Sequence, residues 1–159
     1  MPAFLGVIVS LSLLENALNS RVVDDDLVRR TLGGDREADS SLSRYLYDEG
    51  FINRLSGFAC RDLVKCCAEG SSIALLREML GDVVKVKLYA TDTASSQLCA
   101  VALVKCLASR SRELGVEVDG YTRFNSSVLG TSVLAWVIWS GPLVRTWLII
   151  FPGGVLMPT

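Results

Sequence analysis

Two stretches of the chain contain almost no strongly polar residue, and this constrains the fold more than any other feature. In residues 97–108 only Gln97 and Lys105 are strongly polar, and residues 128–139 are apolar or small throughout. A helix that is apolar around most of its circumference must be buried. We therefore expect two central helices, at about residues 94–114 and 126–139, paired as a buried hairpin inside an all-α bundle.

The remaining segments read mainly as amphipathic helices around this hairpin. Apolar residues recur every three or four positions through residues 4–18, which predicts a first helix. The acidic run at residues 24–26 suits the amino end of a second helix. Residues 83–89 alternate apolar and lysine residues and are rich in β-branched side chains, so a short strand is an alternative to a helix there. A length of 159 residues predicts one domain, 1–159.

The mean hydropathy of +0.40 raises the question of a membrane segment. Residues 3–14 are apolar, but no Lys or Arg precedes them, so the charged start of a signal peptide is missing. Residues 128–151 are long enough to cross a bilayer, yet Ser140-Gly141-Pro142 and Arg145 interrupt them. We expect a core helix followed by a second helix, with membrane insertion as the alternative.

The sequence contains no recognisable pattern of the residues that usually carry catalysis or bind metals. The chain has no histidine, and its five cysteines form an odd set without a C-x-x-C pair. We expect reduced cysteines in a reducing compartment, no metal, no cofactor and no enzymatic activity. Sixteen basic against seventeen acidic residues disfavour nucleic acid as a partner. Gly33-Gly34 lacks the Lys-Ser/Thr of a phosphate loop and predicts a turn.

Several short motifs resemble one viral family when they are taken in their common order. They are Leu13-Leu14-Glu15-Asn16-Ala17, Gly33-Gly34-Asp35, the stretch 86–107, Gly120-Tyr121 and Arg145-Thr146-Trp147. Over residues 4–150 the chain resembles the adenovirus early region 1B small T antigens, a viral branch of the Bcl-type apoptosis regulators. Where that family has Gly-Arg at the start of the buried central helix, this chain has Ser96-Gln97.

The resemblance implies a Bcl-like helical bundle and a viral early protein that inhibits apoptosis of the host cell. Such a protein would hold host pro-apoptotic proteins such as Bax and Bak in a helix-accepting groove, at host membranes and the nuclear envelope. On this interpretation Gln97 lies at the polar edge of the groove, and apolar residues line it: Leu46, Leu76, Leu80, Val84, Leu98 and Val101.

Two other functions remain open at the level of sequence. The chain could be a generic helical adaptor or structural protein whose apolar surface serves self-association. It could also be a small membrane protein anchored through residues 128–151. The sequence leaves the oligomeric state open.

Overall fold

The computed structural model describes residues 3–80, 84–125, 135–140, 145–151 and 154–156. Its centre is a mixed sheet of six strands in the order β3-β2-β1-β4-β5-β6. Strands β1, β2 and β3 are parallel, whereas β4, β5 and β6 continue the sheet in antiparallel fashion beyond β1. The strand bounds are Ala3–Ile8, Val84–Thr91, Val116–Phe124, Ala135–Ser140, Arg145–Phe151 and Gly154–Leu156 for β1 to β6.

Helices connect the parallel strands and make up most of the regular structure among the described residues. Six of them lie between β1 and β2: α1 to α6 span Ser12–Asn19, Asp26–Leu32, Arg36–Leu42, Glu49–Arg61, Leu63–Cys66 and Ala68–Leu80. A short 3-10 helix, Ser43–Tyr47, joins α3 to α4. Between β2 and β3 lie α7, Ala94–Ser109, and α8, Ser111–Leu114. Strands linked through helical crossovers give an α/β arrangement.

The core forms between one face of the parallel strands and helix α7. Leu5 and Val7 of β1 and every second residue of β2 are buried, as the two-residue period of a strand requires. Helix α7 contacts β2, β3 and α4 and buries residues around most of its circumference. Leu98, Leu103 and Leu107 in α7 are completely inaccessible to solvent. The predicted central helix at about 94–114 therefore exists, as α7 followed by α8.

The prediction that helices dominate is confirmed, and the all-α class holds only roughly, because a sheet lies among the helices. The helix expected over residues 4–18 begins only at Ser12, and the residues before it form β1. Leu5, Val7 and Val9 are buried at a spacing of two, a pattern that a continuous apolar run hides. Residues 84–91 form β2, so the strand alternative for this segment is the correct one.

The prediction of a second central helix at about residues 126–139 is wrong for the last five of these residues. Residues 135–140 form β4, which pairs antiparallel with β1 through Leu5 opposite Val137 and Phe4 opposite Ile138. The sequence Trp136 to Trp139 contains only aromatic and β-branched residues, which favour strands. Residues 126–134 lie outside the described residues. None of the helices in the described ranges has the length and apolar character needed to cross a bilayer.

Two of the five cysteines are paired, which corrects the prediction that all are reduced. Cys60 at the end of α4 and Cys106 in α7 form a disulfide, with their Cα atoms 5.6 Å apart. The pairing depends on α4 packing against α7, which spacing in the sequence cannot reveal. The expectation of a reducing compartment depended on all five thiols being unpaired. The Cys60–Cys106 disulfide removes the basis for that expectation. Cys66, Cys67 and Cys99 are free and buried, as small apolar residues are.

Several capping predictions are confirmed. Asp25, from the acidic run, caps α2 by accepting a hydrogen bond from the Leu27 amide at 2.8 Å. Thr93 likewise caps α7 by accepting a hydrogen bond from the Ser96 amide at 3.4 Å. Gly33-Gly34 ends α2 as the predicted turn, and Gly34 has a φ of +95°, a left-handed conformation that glycine adopts without strain.

Candidate functional site

A polar cavity lies outside the carboxyl ends of β1 and β2. Its volume is about 700 Å³. Because β1 and β2 are parallel, the turns that follow them meet at one edge of the sheet, beside the amino end of α7 and the α2–α3 turn. The lining residues are Val9, Leu11, Thr31, Gly34, Asp35, Arg36, Asp39, Ser40, Thr91, Asp92, Thr93, Ser95 and Ser96.

The turn between β2 and α7 is fixed by its own polar side chains. The Ser96 hydroxyl accepts a hydrogen bond from the Thr91 amide at 3.0 Å, and the Thr93 hydroxyl accepts from the Ser96 amide at 3.4 Å. Gln97 donates from Nε2 to the Asp92 carbonyl at 3.1 Å. Serine and threonine hydroxyls commonly bond to nearby backbone amides in this way. These bonds hold the backbone of the turn, whose serine and threonine residues line the cavity.

Asp39 of α3 reaches across the cavity to the amino end of α7. Its carboxylate accepts hydrogen bonds from the Ala94 amide at 3.1 Å, the Ser95 amide at 3.0 Å and the Ser95 hydroxyl at 2.5 Å. The first amides of a helix have no partner within the helix, and the helix dipole places positive charge there. Asp39 therefore supplies a negative charge where a 16-residue helix favours one.

The α2–α3 turn brings a second acidic group, Asp35, and one basic group, Arg36, to the cavity. Asp35 caps α3 and forms a salt bridge with Arg30, with Nη2 and Oδ2 2.6 Å apart. The hydrogen bond from the Ala38 amide, and then that from Arg30, hold the pKa of the Asp35 carboxyl below its ordinary value. Arg36 is exposed, and no partner for its guanidinium is found within the described part of the chain.

Thr31 differs from the other lining residues in that its side-chain oxygen is both buried and unpaired among the described residues. Its side chain is only 8% exposed, and its hydroxyl has no hydrogen-bond partner among the residues that the structure describes. Leaving a buried hydroxyl unpaired costs about 1–3 kcal/mol, so such groups are uncommon in folded proteins. The hydroxyl oxygen has almost no accessible surface, so it lies beneath the cavity wall and does not face the cavity space.

A buried carboxylate anchors the turn after β1. Glu69 of α6 is 3% exposed and accepts hydrogen bonds from the Ser10 amide and, at 3.4 Å, from the Ser12 hydroxyl. The Ser12 hydroxyl in turn accepts from the Ala68 amide at 3.0 Å. A carboxylate is rarely this buried unless it is paired, so Glu69 fixes α6 and the start of α1 to the end of β1.

The residues predicted for a helix-accepting groove are spread over four elements. Val84 in β2 and Leu98 in α7 are completely buried, and so they lie in the core instead of lining an open groove. Gln97 is 8% exposed and bonded to the Asp92 carbonyl. Leu76 is buried on α6, whereas Leu46 in the 3-10 helix and Val101 on α7 are half-buried. Leu80 ends α6, and its side chain lies outside the described residues.

Sequence reasoning missed the residues around the cavity. Asp39 and Ala94 are 55 positions apart, so no local spacing links the carboxylate to the helix that it caps. One signal was available, because Thr91-Asp92-Thr93 follows an alternating segment and precedes an apolar helix. A polar turn between a strand and a helix marks the carboxyl edge of a parallel sheet, where α/β proteins bind ligands.

Neither a scan against protein-family models nor a search of curated proteins finds a match for this chain. Among the described residues, no group of three or more His, Cys, Asp or Glu is placed to hold a metal ion.

Proposed function

We propose that this protein binds a small polar ligand of the nucleotide class in the cavity at the carboxyl ends of β1 and β2. The observation that carries the proposal is the cavity itself, about 700 Å³, at the edge of the parallel strands. Open α/β sheets bind ligands in the crevice outside the carboxyl ends of their strands. Ligand pockets in proteins typically have volumes of about 300–1,000 Å³.

The lining favours a ligand that combines an apolar ring with hydroxyl and anionic groups. Val9 and Leu11 supply apolar contact, and six hydroxyl-bearing residues surround them: Thr31, Ser40, Thr91, Thr93, Ser95 and Ser96. Carboxylates such as Asp92 accept hydrogen bonds from sugar hydroxyls. The Arg36 guanidinium at the cavity provides the donor geometry that suits a phosphate.

The experiment is calorimetric titration of the unmodified protein with adenosine, AMP, ATP and the corresponding guanosine compounds. Two neighbouring serines of α3 form a matched pair, because each is exposed and donates to the carbonyl four residues earlier, but only Ser40 lines the cavity. Ser40→Trp should weaken binding by more than about tenfold, whereas Ser41→Trp should leave it unchanged. If none of the compounds binds, or if both variants behave alike, the proposal is wrong.

Helix capture is the second candidate, and it rests on the sequence resemblance together with one exposed surface. Val64, Leu75 and Met79 on α5 and α6 are 51%, 45% and 52% exposed. A cavity of about 510 Å³ beside them is lined by Leu63, Ile73, Leu114 and Val116, among others. Exposed apolar side chains of this kind can accept the apolar face of an amphipathic helix. On this candidate the protein inhibits apoptosis at host membranes by binding Bax or Bak.

A Bcl-like bundle would require residues 3–8 and 84–91 to be helical, whereas both segments are strands in the structure. Fluorescence anisotropy with a labelled peptide of the Bax or Bak helix tests it directly. Met79→Glu should abolish peptide binding, while Tyr47→Glu, at a 92% exposed residue on the separate 3-10 helix, should not affect it. Peptide that stays free at micromolar protein would eliminate helix capture.

A further inference from the structure

The parallel strands β2 and β3 have one face in the core and one face in solvent. In β2 the residues Val84, Val86 and Leu88 are buried in the core, on the side where α7 packs. Lys85 and Lys87 alternate with them and so lie on the opposite face, where Lys87 is exposed. Parallel strands in proteins are normally covered on both faces. The described part of the chain leaves this face of β2 and β3, the open face, accessible to solvent.

Two rows of opposite charge run side by side on the open face. Lys85 and Lys87 form a basic row on β2, and Glu117 and Asp119 form an acidic row on β3. The register places Lys85 opposite Glu117, and Nζ of Lys85 lies 3.5 Å from Oε2 of Glu117. A cavity of about 490 Å³ is lined by residues that include all four of these charged side chains. The open face is therefore a charged surface divided into a positive half and a negative half.

A surface with this division of charge is complementary to a second copy of itself. A two-fold axis above the open face, parallel to the strands and between β2 and β3, places the basic row of one copy over the acidic row of the other. The same contact then occurs twice, as in any two-fold interface. Sheets that pack face to face lie about 10 Å apart, a gap that lysine and carboxylate side chains can fill from both sides. A partner of uniform charge would instead be repelled by one of the two rows.

We propose that the protein forms a symmetric dimer through the open face, in which Lys87 of each copy faces Asp119 of the second copy. The contact is mainly electrostatic and accessible to salt, so we expect a weak dimer. The four charged residues of the open face do not line the cavity at the carboxyl ends of β1 and β2. This inference is therefore independent of the proposed ligand.

The experiment measures the dissociation constant of the dimer for the full-length protein by analytical ultracentrifugation. Lys87→Glu brings like charges together at both copies of the contact, and so does Asp119→Lys. Each variant should dimerise at least about tenfold more weakly than the unmodified protein. Raising the salt concentration from about 0.05 M to about 0.5 M should also weaken the dimer, because the range of the charge interactions shortens.

An equimolar mixture of the two variants tests the pairing itself. In the mixed dimer the carboxylate introduced in one chain faces the ammonium group introduced in the other, and the unaltered Lys87 faces the unaltered Asp119. The mixture should therefore dimerise about as tightly as the unmodified protein. Mixing cannot restore a charge pair that acts only within one copy. Lys85→Glu and Glu117→Lys provide a second pair for the same test where one of the first two variants is unfolded by circular dichroism.

Two variants on α5 and α6 are the matched controls. Lys65 is 85% exposed and lies 3.5 Å from Asp62, so Lys65→Glu changes the net charge as Lys87→Glu does. Met79 is 52% exposed, and Met79→Glu would disrupt a dimer formed through the apolar surface of these helices. Neither control should change the dissociation constant of the dimer.

Three results would overturn the inference. They are an unmodified protein that remains monomeric up to about 1 mM, a mixture of folded variants that does not dimerise, and a dimer that Met79→Glu abolishes. The nucleotide titration of the unmodified protein is a separate measurement, and its failure would leave the dimer standing. A dimer lost in Lys87→Glu, retained in both controls and recovered in the mixture supports the inference.

Discussion

The two ends of helix α7 are held in place by different kinds of interaction. At the amino end, backbone amides donate hydrogen bonds to serine, threonine and aspartate side chains, which fixes the backbone beside a polar cavity. Near the carboxyl end, the Cys60–Cys106 disulfide and the fully buried Leu107 fix it covalently and by packing. Hydrogen bonds can be exchanged for bonds to a ligand, whereas a covalent link cannot. The amino end is thus suited to respond to a ligand, and the carboxyl end to anchor the helix.

The largest effect is expected from removing the anchor. The disulfide closes a loop of 46 residues, and the chain-entropy relation gives about 4 kcal/mol of stabilisation for a loop of this size. Replacing Cys60 and Cys106 together by alanine should lower the free energy of unfolding by about this amount in urea denaturation. A reducing agent should destabilise the unmodified protein to a similar extent and leave the double variant unaffected. Equal stability of all these forms would refute the role as an anchor.

A smaller loss is expected when the polar end is altered. Ser96→Ala removes a buried hydroxyl and leaves the half-buried Thr91 amide without its acceptor, which should cost about 1–3 kcal/mol. Ser109→Ala, near the carboxyl end, removes only a hydroxyl that donates to the Cys106 carbonyl at 2.8 Å, which should cost about 0.5–1.5 kcal/mol. Urea denaturation of the two variants compares the ends directly. A greater loss for Ser109→Ala would reverse the comparison.

Thr31→Val is expected to stabilise the free protein slightly. The substitution replaces an unpaired buried hydroxyl by a methyl group of similar size, and it should raise the free energy of unfolding by up to about 1 kcal/mol. The same variant should bind the ligand of the cavity as well as the unmodified protein does, because the hydroxyl oxygen has almost no surface that a ligand could reach. Thermal denaturation with and without ligand measures both effects. A destabilised Thr31→Val variant would show that the hydroxyl has a partner after all.

The smallest effect concerns the salt bridge beyond the carboxyl end of α7. The hydrogen bond from Arg110 holds the pKa of the Glu113 carboxyl below its ordinary value of 4.5. A carboxyl whose pKa is lower in the folded protein contributes stability above about pH 4.5, and that contribution is lost as the pH falls through its folded pKa. Unfolding of Glu113→Gln should therefore depend slightly less on pH below 4.5 than unfolding of the unmodified protein. Identical pH profiles would mean that the pair contributes nothing.

Helix α7 could be predicted from the sequence because it is apolar on nearly all of its faces. A segment with only Gln97 and Lys105 as strongly polar residues is buried whichever face is considered. The neighbouring strand β1 was mistaken for part of a helix because Leu5, Val7 and Val9 are separated by Gly6 and Ile8, which hide the alternation. Only pairing with β2, residue 3 opposite residue 84, determines that these residues are extended. Tertiary context thus overrode the local pattern.

The candidate cavity could not be predicted because its residues meet only in the folded chain. Thr93 and Asp25 were recognisable as caps, since their partners lie two or three positions away. Asp39 lies within α3, and its role depends on the docking of α3 against α7. Glu69 likewise contacts a backbone amide 59 positions earlier. Side chains that act across such separations leave no periodicity to detect.

The central position of β1 in the sheet has a consequence for synthesis of the chain on the ribosome. Its first residues pair with residues from 84 onward on one side and with residues 137 and 138 on the other. At translation rates of about 5–20 residues per second, this strand waits roughly 4–16 s for its first partner and longer for its second. Throughout that time an apolar segment remains without the neighbours that later enclose it. We therefore expect the nascent chain to depend on chaperones until β2 has emerged, more than a protein whose first strand pairs locally.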